Sequence, residues 1–253
     1  MRGRPVAEPR RAAIFGATSA IAQAVARCMA QRGDALVVVG RNRERLEAVA
    51  GDLRVRGAGS VHTLVADLNE SGRHESLVDE AWKALGGLDI ALIAHGVLGK
   101  QAEAEVSGEK LQEILAANFT SAASLAMRLA QRFERQGSGT LAAIGSVAGD
   151  RGRLSNYAYG AAKGGLAIFL EGLRHRLHAK GVRVVTLKPG FVDTPMTRDF
   201  PKGPLWATPE QAAASIVRAI DRGASVAYVP GFWRAIMLVI RSLPEWVLFR
   251  TRL

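Results

Sequence analysis

Short, uninterrupted apolar runs alternate along this chain with longer segments whose apolar positions recur every three or four residues. The runs fall at 12–15, 36–39, 61–65, 90–94, 140–144, 182–187 and 226–229. They are apolar at consecutive rather than alternate positions, which predicts strands covered on both faces. The periodic segments between them, 21–31, 43–54, 74–85, 109–135, 157–179 and 209–221, predict helices. Such an alternation implies right-handed crossovers and a mainly parallel seven-stranded sheet. No Pro/Ser-rich linker interrupts it. The expected architecture is α/β: one doubly wound domain over residues 1–230, followed by an amphipathic C-terminal tail over 231–253.

Composition narrows the picture. The chain has 253 residues, 48% hydrophobic and 23% charged, enough for a full core and unlike a disordered or low-complexity polymer. The single cysteine, Cys28, excludes an internal disulfide, and the five histidines form no ligand set with it or with carboxylates, so no metal is expected. The net charge of +11 points to an anionic partner or to simple solubility. Met1–Arg11 has no apolar run like that of a signal peptide, and no stretch of about 18 uncharged apolar residues predicts a span. A cytoplasmic protein is expected.

In doubly wound sheets ligands bind at the carboxyl ends of the strands. After the first strand, Gly16-Ala17-Thr18-Ser19-Ala20-Ile21-Ala22 runs into a helix, a setting where a tight turn and free N–H groups can receive a pyrophosphate. Alanines 20 and 22 stand where a dinucleotide loop has its second and third glycines, so the motif alone reads more readily as a plain strand–helix turn. After the second strand, Gly40 stands where a carboxylate would select NAD, with Arg41 and Arg43 beside it. A guanidinium binds a 2′-phosphate that a carboxylate would repel, so the expected cofactor is NADP(H) rather than NAD(H). Asp67, followed by Leu68, reads either as an acceptor for an adenine amino group or as a helix N-cap.

The fifth strand ends at Gly145-Ser146, and Tyr159 and Lys163 lie four apart on one face of the following helix. Reducing a ketone by hydride transfer leaves an alkoxide needing a proton, which Tyr159 can supply. An ammonium at Lys163 is expected to lower the phenol's pKa. Ser146 can donate to the substrate oxygen. Asn118, read as mid-helix, could hold a water in a proton relay.

With these residues in view, the chain resembles the short-chain dehydrogenase/reductases, a Rossmann-type family. The likeness extends from the Gly16 loop through Asp67, Asn118, Ser146, Tyr159 and Lys163 to Pro189-Gly190-Phe191-Val192-Asp193-Thr194. It implies a catalytic set of Asn118, Ser146, Tyr159 and Lys163, the nicotinamide amide held at Val192 and Thr194, and a homodimer or homotetramer. The family's usual Asn-Asn-Ala-Gly reads Ile93-Ala94-His95-Gly96 here, so His95 either meets cofactor or substrate or caps its strand.

The segment 193–206 is expected to form a substrate lid, apolar through Met196, Phe200, Leu205 and Trp206, with Phe191 just before it. In the tail, aromatic and aliphatic residues beside Arg234, Arg241, Arg250 and Arg252 suit either a peripheral anchor on anionic lipid or a segment packed over the cleft or in an oligomer interface. This look is similar to the polyprenyl-phosphoryl 2-keto-pentose reductases, which implies a ketone on a lipid-linked sugar. Competing readings are a soluble reductase of 3-oxoacyl or steroid-like ketones and a dinucleotide-sensing regulator without chemistry. Nucleic acid is not expected, because the arginines are scattered with no recognition module.

Overall fold

The computed structural model describes residues 9–250. Seven strands, β1 (Arg11–Phe15), β2 (Ala35–Gly40), β3 (Ser60–Val65), β4 (Ile90–Ile93), β5 (Gly139–Ile144), β6 (Val182–Pro189) and β7 (Val226–Val229), form one sheet in the order β3-β2-β1-β4-β5-β6-β7. Every neighbouring pair is parallel. Ala12 and Ile14 of β1 face one core and Ala13 and Phe15 the other, so both sheet faces are covered and the strand has no polar position to spare.

One core is closed by α1 (Ala20–Ala30), α2 (Arg43–Val55) and α8 (Pro209–Arg222), the other by α3 (His74–Leu85), α6 (Ser121–Gln136) and α7 (Tyr157–His178). Ala22, in the third glycine place of the β1–α1 turn, is fully buried in the first core. There a methyl group packs against the sheet instead of leaving the gap a glycine would. The chain builds outward from β1 to β3 and then crosses to β4 on β1's other side, which opens a crevice at the carboxyl ends of β1 and β4.

The predicted single helix over 109–135 is broken. Beyond β4 come α4 (Gln101–Val106) and α5 (Gly108–Leu115), then a π-helical turn over Ala116–Thr120, then α6. Asn118 sits in that turn, not in a regular helix. Its side chain donates to the carbonyls of Val97 (2.7 Å) and Ile114 (2.9 Å) and accepts from the Val97 N–H at 3.2 Å. These bonds hold the widened turn open against the loop after β4, as π-bulges at functional sites do.

The tail forms α9 (Trp233–Ser242) and α10 (Glu245–Leu248) and packs back on the domain. Trp233 and Met237 are buried with Val147. Arg151 donates to the carbonyls of Arg241 and Leu243. At the other end of the chain, Arg10 and Arg32 pair with Asp221, and Arg11 pairs with Asp89. Two of the basic N-terminal residues thus serve the fold rather than an external anion. Arg2, Arg4 and Arg252 lie outside the described residues.

Candidate active site

A cleft of about 410 Å³ runs along the carboxyl ends of the strands. It starts at the β1–α1 turn, where Gly16, Thr18, Ser19 and Ile21 line it, and passes Arg41 after β2 and Asp67 and Leu68 after β3. His95 and Gly96 after β4, with Asn118, line its middle. It ends among Ser146, Tyr159 and Lys163 on one side and Pro189, Gly190, Val192 and Thr194 on the other.

Arg43 is the exception among the cofactor and catalytic residues expected from the sequence. It lies exposed on the first turn of α2 and does not line the cleft, whereas Arg45 does. Asn42 explains the difference. Its side chain caps α2 by accepting from the Arg45 N–H at 2.8 Å, which places Arg43 first in the helix and Arg45 third. An N-cap asparagine was legible at 42, and it was the signal for choosing Arg45. Asp67 accepts from the Asn69 N–H at 2.9 Å, so it orders a turn and does not cap α3, which begins at His74.

Ser146 is extended at the end of β5, and its Oγ accepts from the Ala148 N–H at 3.1 Å. That bond fixes the oxygen and leaves the O–H to donate, with the Tyr159 hydroxyl as its neighbour in the cleft. Lys163 is buried and donates to the Ile144 carbonyl at 3.0 Å, its Nζ lying 5.8 Å from the centre of the Tyr159 ring. Burial pushes the Lys163 ammonium down to about 8. It pushes the Tyr159 phenol up to about 12, against a smaller lowering by the Ser146 hydroxyl. Desolvation thus sets the direction of the phenol's shift, opposite to the lowering expected from the Lys163 ammonium alone. Gly96, at φ +157°, passes so close to Asn118 and Lys163 that an added Cβ would sit 2.5 Å from Asn118 Oδ1 and 3.3 Å from Nζ. Only glycine lets these two side chains share the space.

His95 belongs to a buried chain of hydrogen bonds. The Leu68 carbonyl accepts from His74 Nε2 (2.9 Å) and from the Ser121 hydroxyl, whose oxygen accepts in turn from His95 Nε2 at 2.8 Å. Because Ser121 spends its one proton on Leu68, His95 carries its own proton on Nε2, and Nδ1 is an acceptor, buried without a partner. Burial, aided by the charge of Lys163, pushes the imidazole down to about 3, so it is neutral.

The lid expected over 193–206 is closed at its base by a parallel bridge between Val192 and Ala207. Met196 and Phe200 line the cleft. Phe191 stacks on Trp206 (5.3 Å between ring centres) and meets the edge of Trp233 of α9 (5.5 Å), linking lid to tail. Tyr157 does not line the cleft; it donates to Glu105 and borders a groove between α7 and the tail. Sequence reasoning missed two further lining residues, Arg153 and Asn156.

The residues fit a pyridine dinucleotide. The β1–α1 turn presents a helix start capped by Ser19, Arg41 and Arg45 stand beyond β2 without a carboxylate at Gly40, and the cleft leads from there to Ser146 and Tyr159. Comparison with known proteins agrees. The short chain dehydrogenase family profile matches residues 10–204. An uncharacterized oxidoreductase of Mycobacterium tuberculosis is 38% identical over 92% of this chain and 94% of its own length. A 3-oxoacyl-[acyl-carrier-protein] reductase of Bos taurus is 32% identical over 74% of this chain and 78% of its own. The crystal structure of levodione reductase, at 23% identity, superposes with a TM-score of 0.81 over 89% of this chain and 98% of that one, a likeness of fold. The chain belongs to the short-chain dehydrogenase family and is an NAD(P)-dependent oxidoreductase.

Proposed function

We propose that the protein is an NADP(H)-dependent reductase that converts a ketone on a hydrophobic or lipid-linked substrate to a secondary alcohol. The observation that carries this reading is the juxtaposition, at one end of the cleft, of Tyr159, Ser146 and a buried Lys163. The bound nicotinamide supplies the hydride. Ser146 donates to the carbonyl oxygen as negative charge develops on it. Tyr159 gives that oxygen its proton, and the Lys163 ammonium supports the phenolate left behind. Asn118 keeps the Val97 loop and the π-helical turn in place beside Lys163. Both of its amide N–H groups are spent there, which favours a positioning role over the proton relay expected from sequence.

The sign of the pH dependence follows from Lys163. Its charge is present below about pH 8 and lost above it. The reductive kcat/KM is therefore expected to fall on the alkaline side with an inflection near 8, and His95, neutral above about 3, adds no acid limb between pH 5 and 7. A profile level through pH 9 would contradict the role given to Lys163.

Cofactor choice rests on Arg41 and Arg45 at the mouth of the cleft. Arg41→Asp is expected to reverse the preference between NADPH and NADH, by on the order of the ten- to hundredfold that one charge-assisted contact contributes. Unchanged dissociation constants for both dinucleotides would refute the 2′-phosphate assignment.

The apolar lid favours a greasy substrate, while the Bos taurus relative supports an alternative, a 3-oxoacyl ketone. The tail adds support for work at a lipid surface on the cytoplasmic side. It turns Trp233 and Met237 inward but leaves Leu238, Trp246 and Phe249 exposed (71, 62 and 82%) beside Arg234, Arg241 and Arg250. Among the described residues no helix is long and apolar enough to cross a membrane, so contact would be peripheral. The protein is expected to pellet with phosphatidylglycerol vesicles, and a Trp246→Ser/Phe249→Ser double variant to stay in solution. Equal pelleting of the two would remove the anchor.

A further inference from the structure

Arg153 and Asn156 lie on the connection that leads from β5 into α7, and both line the wide end of the catalytic cleft. Asn156 is the residue before Tyr157, the first of α7, and so stands one helical turn ahead of Tyr159. At such a position an asparagine ordinarily accepts from an N–H of the first turn. This one makes no such bond, and its Oδ1 is buried with no donor. Arg153 is half-buried, and its Nε is likewise buried without an acceptor. Its one hydrogen-bond contact is a weak one, from Nη2 to the Met237 sulfur at 3.5 Å.

Among the described residues no carboxylate pairs with Arg153. The nearby Asp150 is already committed to Lys188 and to the Tyr228 hydroxyl, at 2.5 and 2.6 Å. The neighbouring Arg151 is spent on two carbonyls of the tail. Arg153 therefore differs from the other cations around it: it is partly desolvated, lines the cleft and, among the described residues, forms no ion pair, Asp150 acting on it only through space. A half-buried guanidinium without a bonded anion, three residues from a buried amide oxygen without a donor, leaves polar groups unpaired at a cost that a fold would normally avoid.

We propose that Arg153 and Asn156 form a substrate-recognition subsite, in which Arg153 binds an acidic oxygen group of the ketone, a carboxylate or a phosphate, and Asn156 Oδ1 accepts a hydrogen bond from a hydroxyl of the same molecule. The subsite deepens the ketone-reductase reading and rests on it. It makes the substrate amphiphilic: an apolar portion against Met196 and Phe200, and an acidic group at Arg153. Arg153 also borders the groove under the tail, whose wall includes Arg241.

Two matched pairs of probes test this and separate the sources of the anion. Levulinate against its methyl ester reads the carboxylate, and dihydroxyacetone phosphate against dihydroxyacetone reads the phosphate. The wild type is expected to favour the charged member of at least one pair in kcat/KM. In Arg153→Gln that ratio of charged to neutral is expected to collapse by about ten- to hundredfold, the range for a hydrogen bond to a charged group. Arg153→Lys is expected to restore part of it. A purely structural role would lower both members of a pair alike and leave the ratio intact, and that result overturns the subsite. Calorimetric binding of the same four compounds to the protein with NADP⁺ gives a readout without turnover. Charged probes held equally by wild type and Arg153→Gln also overturn it. If none of the four is reduced, yet the charged probes bind the wild type and not the variant, the subsite stands and the ketone-reductase reading falls.

Discussion

Tyr159→Phe is expected to lower kcat for ketone reduction by about 10²–10⁴-fold, the usual contribution of a positioned general acid. The ring stays, and with it the packing against Ile114 and Ala158. Only the hydroxyl is lost, in a place where burial already holds its pKa near 12 and no strong partner depends on it. Thermal stability should therefore move by no more than about 0.5–1.5 kcal/mol, the net value of one hydrogen bond. Stopped-flow measurement of NADPH oxidation, beside a melting curve, separates the two effects. A phenylalanine variant that keeps most of its rate would remove Tyr159 as the acid. A wild type with no turnover on any ketone would favour the dinucleotide-sensing regulator instead.

Trp233→Ala is expected to have the largest structural effect. The indole is 2% exposed and fills the notch at Gly190, where an added Cβ would lie 2.0 Å from two of its atoms. Truncating a buried tryptophan costs about 3–5 kcal/mol. Here the loss falls on the docking of α9, which rests on Trp233 and Met237 more than on the sheet. Amide exchange through 233–248 should quicken by two or more orders of magnitude while β1, β4 and β5 stay protected. Phe191 then loses the edge contact that backs it, so the lid beyond it loosens and KM for the ketone rises. Gly190→Ala should reach the same state from the opposite side, by pushing the indole out. Unchanged exchange in α9 in either variant would show that the tail is held by other means.

The strands were the most legible part of this fold, because interior parallel strands such as 36–39 and 140–144 are written as unbroken apolar runs. The grouping of the candidate reacting residues was legible for a related reason: Tyr159 and Lys163 are placed by helical spacing, and Ser146 by the end of a strand. What failed depended on contacts between distant segments. The break at 116–120 is set by Asn118 reaching Val97 and Ile114, and nothing in the periodicity of 109–135 records that reach. The hydrogen bonding of His95 is decided by Ser121, the first residue of α6, and by Leu68, in the loop after β3. The upward push on the Tyr159 phenol comes from burial, which a sequence does not display beside the neighbouring ammonium. Arg153 and Asn156 looked like ordinary loop residues, since a missing partner is visible only in three dimensions.

The central position of β1 has a consequence for how this chain is made. β1 leaves the ribosome before the strands that flank it, and β2 and β3 can join it on one side soon afterwards. Its other edge is paired by β4, which is not synthesised until Ile90–Ile93. At roughly 5–20 residues per second, that apolar edge waits for a time on the order of ten seconds. The nascent chain thus carries an open, sticky strand edge while residues 16–89 are made, the interval in which a holdase chaperone would have most to protect.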